Sequence, residues 1–319
     1  SMKYSGIGGQ AVIEGIMMMK GEDYAVAVRR PDKEIEVKKD TYQSITKKAK
    51  ILQLPFVRGV FRFADSMIIG MRSLTYSASF FEDDEDAEPG KFEQFLDRVF
   101  GEKLESAIMA AVLVISFILA IGIFMLLPLG IANLFKGVIT SDHLMAVLEG
   151  VIRIAIFIIY IKLVSRMEDI RRTFMYHGAE HKCINCVEHG HPLTVKYVRE
   201  SSKEHKRCGT SFILIVMVIS ILMFMVIRVD TIWMRILSRI ILVPVIAGIS
   251  YEVLQCAGRS NSKFMDLVSR PGMWMQGLTT KEPDDSMIEV AIAATEAVFD
   301  WREYLTENFP GWEKQLEES

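Results

Sequence analysis

Residues 107–127 read AIMAAVLVISFILAIGIFMLL, a run of 21 residues with no charge. The hydrocarbon core of a bilayer is about 30 Å thick and needs about 20 residues of helix to cross it, so this run predicts a membrane span. Pro128 follows it and is expected to end the helix, because proline lacks the amide hydrogen that the next turn needs. Three weaker runs extend the pattern. Residues 145–165 form a second span interrupted by Glu149, Arg153 and Lys162. Glu149 and Arg153 are four apart and pair on one helix face near an interface, while Lys162 snorkels at the other. Residues 210–229 and 236–257 form the third and fourth spans, and the short 228–235 link suits a tight helical hairpin. Half the chain is hydrophobic and mean hydropathy is +0.25, so the runs dominate the composition. A net charge of −3 supplies no field for nucleic acid.

Basic residues near span ends set orientation. Nine Lys and Arg fall in 166–207 and only Lys136 falls in 129–144, with Arg228, Arg235 and Arg239 in the last hairpin. Lys91, Arg98 and Lys103 precede the first span, and Arg259, Lys263 and Arg270 follow the fourth. Both termini and the 166–209 loop are therefore expected on the cytoplasmic side of the membrane. The first twenty residues lack a basic segment followed by a long apolar one, so no cleaved signal peptide is read there.

The fold class expected is a mainly α-helical membrane protein. About four transmembrane helices carry a small N-terminal β unit, an interfacial helix and a C-terminal amphipathic helix on the cytoplasmic side. Residues 1–54 make the β unit, with 11–19 as a strand, 24–29 as a second, a turn at Pro31-Asp32 and a return over 34–38. Its glycines, GIGGQAVIEG, match no phosphate-binding pattern. Residues 55–106 hold the apolar, arginine-studded segment 55–78, an interfacial or re-entrant helix, and the acidic linker EDDEDAEPG at 82–90. Spans one and two occupy 107–165, the His/Cys-rich loop 166–209, spans three and four 210–257, and the C-terminal segment 258–319. In that last segment, 287–305 has apolar residues at helical spacing, including Ile288, Ala291, Ile292 and Thr295, and is expected to dock on the rest of the cytoplasmic part.

The sharpest chemical signal is His177-Gly178-Ala179-Glu180-His181. Residues four apart share a helix face, so both imidazoles reach one metal ion, and the adjacent Glu180 is placed to accept a proton from an activated water. This is the H-x-x-E-H order of the inverted zincins. Gly178 weakens the helix by about 1 kcal/mol relative to alanine. Five of six histidines and three of four cysteines fall within residues 177–208, a concentration that a solvated loop does not require. Glu252, beside the cytoplasmic end of span four, is a further candidate ligand, since carboxylates in membrane helices are rare and costly. A closed zinc site of Cys186, His205, Cys208 and one of the paired histidines, serving only to pin the loop, is the structural alternative. His189 and His191 read as exposed turn residues.

With these residues in view, the chain resembles the YqhQ family, bacterial multi-pass membrane proteins of unknown function with a metal-dependent label. The likeness runs through GGQAVIEGIMM, PFVRGV, YHGAEHKCINCVE, HKRCGTSF, PVIAGISYEVLQ and PGMWMQGLTTKEPDDSMIEVAIA. It implies shared roles for His177, Glu180, His181, Cys186, Glu188, His205, Cys208 and Glu252, while Cys183, His189 and His191 depart from it. It also implies a multi-pass protein of the bacterial cell membrane.

The function expected is a membrane-embedded zinc-dependent hydrolase at the cytoplasmic interface. His177 and His181 hold zinc with a third ligand from Glu252, Cys208 or Cys186. Glu180 activates water, and His205 or Arg207 steadies developing negative charge. The partners are the lipid bilayer and a membrane-protein or lipid substrate, with no nucleic acid; the oligomeric state is not read. The competing class is a transporter, channel or scaffold whose metal site is structural or sensing.

Overall fold

A computed structural model describes residues 2–81, 104–227, 229–260 and 262–318. The acidic linker 82–90, the basic residues Lys91, Arg98 and Lys103, and Arg228 lie outside the described residues. The chain forms two compact units, one from 1–81, 160–220 and 229–319 and the other from 82–159 and 221–228.

The first unit is built on a four-stranded antiparallel meander, β1 (Ile7–Val12), β2 (Gly15–Lys20), β3 (Asp23–Arg29) and β4 (Ile35–Thr41), in the order β1-β2-β3-β4. The expected strand over 11–19 is instead two strands folded at Ile13-Glu14, where Val12 pairs with Gly15. Glu14 sits at φ 48°, a conformation that costs a non-glycine residue energy. The cost is offset by tertiary contacts: Arg172 donates to both Glu14 carboxylate oxygens at 2.5 and 2.8 Å, and the Tyr176 hydroxyl donates at 3.0 Å. β3 is buried on both faces. One face (Ile16, Met18, Ala27) packs on α5 (Glu168–Glu188) and α10 (Asp285–Val298). The other (Val12, Met17, Val26, Val28) packs with Ile69 of α1 (Val57–Ala78).

The expected 166–209 loop is largely helical. α5 takes 168–188, and α6 (Val195–Glu200) follows a short turn. Glu168 and Asp169 occupy the first turn of α5, where carboxylates complement the helix dipole. The single helix expected over 287–305 is two, α10 and α11 (Trp301–Asn308), broken at Phe299-Asp300, where Asp300 accepts from the Glu303 amide as a new cap. Met287, Ile288, Val290, Ala291, Ala294 and Thr295 face the core.

In the second unit, α2 (Leu104–Ile121) continues through a π turn, Gly122–Leu126, into α3 (Leu127–Asn133). Pro128 therefore does not end the first span. The wider turn before it leaves proline in the opening turn of the next segment, where its missing amide costs little. Val112–Leu113–Val114–Ile115 and Phe117–Ile118–Leu119 all point outward, the pattern of a helix surrounded by apolar solvent. Within α4 (Asp142–Val164), Glu149 and Arg153 are both buried and paired at 2.7 Å, and Arg153 Nε also donates to the Phe124 carbonyl in the π turn at 2.8 Å. The pair stands about a third to halfway along the helix.

Among the described residues, four helices are long and apolar enough to cross a membrane: Ala110–Asn133, Asp142–Val164, Gly209–Val226 (α7) and Ile232–Arg259 (α8). The chain is a mainly helical membrane protein with a small N-terminal sheet.

Candidate metal centre

From Tyr176 onward α5 is almost wholly buried, so its polar residues are held by packing and by specific partners. Gly178 permits this: a Cβ there would collide with the Lys281 carbonyl, which the bare helix backbone lets approach. His177 and His181 follow one turn apart on one face, with ring centroids 4.3 Å from each other. Cys208, at the start of α7, comes from across the chain, its Sγ 3.5 Å from His177 Nε2. One donor atom from each of the three residues lies within 4.8 Å of the other two.

Outer contacts set the orientation of these rings. His177 Nδ1 is 3.0 Å from the Thr279 carbonyl oxygen and His181 Nδ1 is 2.7 Å from that of Lys203. Each carbonyl fixes the tautomer that carries its proton on Nδ1 and leaves the Nε2 lone pair free, as histidine ligands require. Cys208 Sγ accepts the Thr210 amide at 3.4 Å, a contact that suits a thiolate ligand at a helix start. Bonds of about 2.0–2.3 Å around a tetrahedral zinc would bring the donors to about 3.3–3.8 Å from one another; the Cys208–His177 pair stands at 3.5 Å, and all three donors lie within 4.8 Å of one another. The residues fit a zinc ion.

Glu180 stands beside this group, one carboxylate oxygen 3.9 Å from His177 Nε2. It is 4% exposed. Burial raises its carboxyl to about 7, an effect that the His177 ring and the Gly9 amide only partly counter. Gly9 lies close against it, for a Cβ on residue 9 would meet Glu180 Cγ at 3.0 Å. A buried carboxylate beside three convergent donor side chains has the position of a general base.

A second buried group adjoins the first. His205 Nδ1 accepts the Arg207 amide at 3.3 Å, so Nε2–H faces Glu188 Oε2 at 3.4 Å. Glu188 also accepts from Arg207 Nη2 at 2.6 Å and from the Ser5 amide and hydroxyl at 3.0 and 2.8 Å. Burial alone would raise the Glu188 carboxyl, but the His205 hydrogen bond and the Arg207 guanidinium hold it down at about 2. Burial pushes His205 down to about 4, so its ring is neutral. Its centroid is 5.8 Å from that of His181, adjacent to the three donors and turned toward Glu188.

The structure does not bring the remaining expected ligands into the group. Cys186 donates to the Pro192 carbonyl at 3.3 Å, and burial pushes its thiol up to about 12. Glu252 is taken by Arg58, whose Nε and Nη2 donate to its two oxygens at 2.7 Å each, and by the Phe56 amide at 3.2 Å. His189 is exposed, and His191 is half-buried with Nδ1 2.7 Å from Gln315 Oε1. Three positioning groups escape the sequence reading. The carbonyls of Thr279 and Lys203 leave no side-chain signal. Gln276, fully buried, receives the His205 amide and donates to the Ser211 hydroxyl at 2.8 Å, and only a lone glutamine on an apolar helix face hints at it.

These features define a class: a helical membrane protein that carries a preformed His–His–Cys cluster on its α/β unit. The family described as "Protein of unknown function (DUF1385)" matches residues 54–301. The protein named "Uncharacterized protein YqhQ" of Bacillus subtilis (strain 168) is 34% identical over 286 residues, 89% of each chain. The chain belongs to this family, the one its motifs resemble. No solved structure matches it.

Proposed function

We propose that the protein is a zinc-dependent hydrolase of the bacterial cell membrane, with both termini and the site on the cytoplasmic side. The observation that carries this reading is the convergence of the His177, His181 and Cys208 side chains beside the buried Glu180. Among the described residues three donors converge, which leaves a fourth tetrahedral position for water and argues against a closed structural site. When bound, zinc supplies Lewis acidity and lowers the pKa of a water molecule in that position. Glu180 takes a proton from the attacking water as its oxygen bonds to the substrate carbonyl, then returns it to the leaving amine or alcohol as the old bond breaks. His205 or Arg207 is the group assigned to steady the tetrahedral oxygen's charge, and because both are engaged with Glu188 in this structure, that role requires one of them to turn from that carboxylate. The substrate is a peptide bond of a membrane protein or an ester or amide of a lipid. A saturated ligand shell and a continuous polar path between helices would favour the competing class, a transporter, channel or scaffold with a structural or sensing metal.

Metal analysis of the purified full chain tests the reading, with about one zinc per chain expected. His177→Ala with His181→Ala should remove it. Glu180→Gln should keep the zinc and fail to complement a deletion strain. Full complementation by zinc-loaded Glu180→Gln would overturn the hydrolase and favour a structural or transport role.

A further inference from the structure

The helix that ends on the metal centre's outer contacts leaves its other face bare. α9 spans Lys263–Thr279 and is capped by the Ser262 hydroxyl, which accepts the Met265 amide at 3.2 Å. Phe264, Leu267, Val268 and Trp274 are all exposed, Phe264 at 70% and Trp274 at 65%. Their spacing puts them on one side at the helical period. Lys263 and Arg270 lie along one edge of that stripe and are exposed as well. Gly272, Met275, Gln276 and Thr279, all in the C-terminal half of the helix, are buried.

Two observations identify what covers the apolar stripe. First, α8, long and apolar enough to cross a membrane, ends at Arg259, and α9 starts at Lys263. A helix that begins within four residues of a span's end begins at the bilayer boundary. Second, an aromatic and aliphatic stripe edged by Lys and Arg is the composition of helices that lie in the plane of the headgroups. We propose that α9 is an interfacial helix whose Phe264, Leu267, Val268 and Trp274 side chains sit in the headgroup–acyl boundary, with Lys263 and Arg270 on anionic headgroups. The same helix presents the Thr279 carbonyl to His177 and Gln276 to His205, so the lipid surface is the platform on which these histidines are held. This inference is independent of whether the bound metal is catalytic.

Depth-dependent fluorescence quenching tests it on the full chain reconstituted in vesicles of phosphatidylcholine and phosphatidylglycerol. Trp301 and Trp312 are buried in the α/β unit, and Trp233, at the start of α8, is exposed. In a Trp233→Phe background Trp274 is therefore the tryptophan open to lipid. Bromine placed near the headgroup end of the acyl chains should quench it more than bromine near the methyl end. The quenchable component should vanish in Trp233→Phe with Trp274→Phe. In a Trp274→Phe chain, quenching of Trp233 reports correct insertion. Insertion with no quenching of Trp274 by either lipid would overturn the proposal and assign the stripe to a protein partner. Stronger quenching by the deeper bromine would overturn it as well, placing α9 inside the hydrocarbon.

Discussion

Single residues at this site carry opposed demands, and the structure decides between them. Gly178 is a poor helix former, and alanine would gain about 1 kcal/mol from propensity alone. The Lys281 carbonyl occupies the space of its Cβ, and overpacking of a rigid contact costs about 1–3 kcal/mol. Gly178→Ala is therefore expected to lower the unfolding temperature in detergent, and an increase would show that the carbonyl can retreat. Glu188 offers the clearest pH signature. Its folded carboxyl, at about 2 against an ordinary 4.5, contributes its full stability above pH 4.5 and loses it as pH falls toward 2. A shift of that size is worth about 3 kcal/mol. Glu188→Gln should destabilise the protein at pH 7 and flatten its stability between pH 4.5 and 2, read by denaturant titration. His177 and His181 were legible because one helical turn separates them, and Glu180 because it lies between. Glu252 misled because its partner, Arg58, is 194 positions away and no local pattern announces the pair.

Elements were legible where hydrophobic period and length agree. The four spans fall within a few residues of their expected limits because uninterrupted apolar runs have few other solutions. The turn at Ile13-Glu14 was not, since it contains no Gly, Asn or Pro and is held by Arg172 and Tyr176 on α5. Pro128 misled for the related reason that a π turn absorbs it. In the second unit, Arg153 joins that turn to Glu149 through the Phe124 carbonyl. Arg153→Met should cost about 3–5 kcal/mol by removing the buried ion pair with Glu149 and the bond to the Phe124 carbonyl. Adding Glu149→Gln should restore most of that loss, and an equal or larger loss in the double variant would show that the pair does not act as a unit.

At the scale of the whole molecule, the excess of Lys and Arg over 166–207 fixes the expected topology. Reporters at His191 and at the C-terminus should score cytoplasmic, and one near Thr140 external. A cytoplasmic score at Thr140 would overturn the four-span arrangement. The membrane class was readable from composition, whereas the centre was only partly so, because its supports arise from the folding back of distant segments.

That dispersal governs how the protein can be made. The centre draws on Gly9, on 177–181, on Lys203 and Cys208, and on Thr279. During synthesis Gly9 emerges first, and Thr279 only after α7 and α8 have left the ribosome. A nascent chain halted before residue 270 contains both histidines and the cysteine, but not the carbonyl that sets the His177 tautomer. If the centre takes up zinc as proposed, loading is a late event in biogenesis, and such arrested chains should retain zinc more weakly than the finished protein.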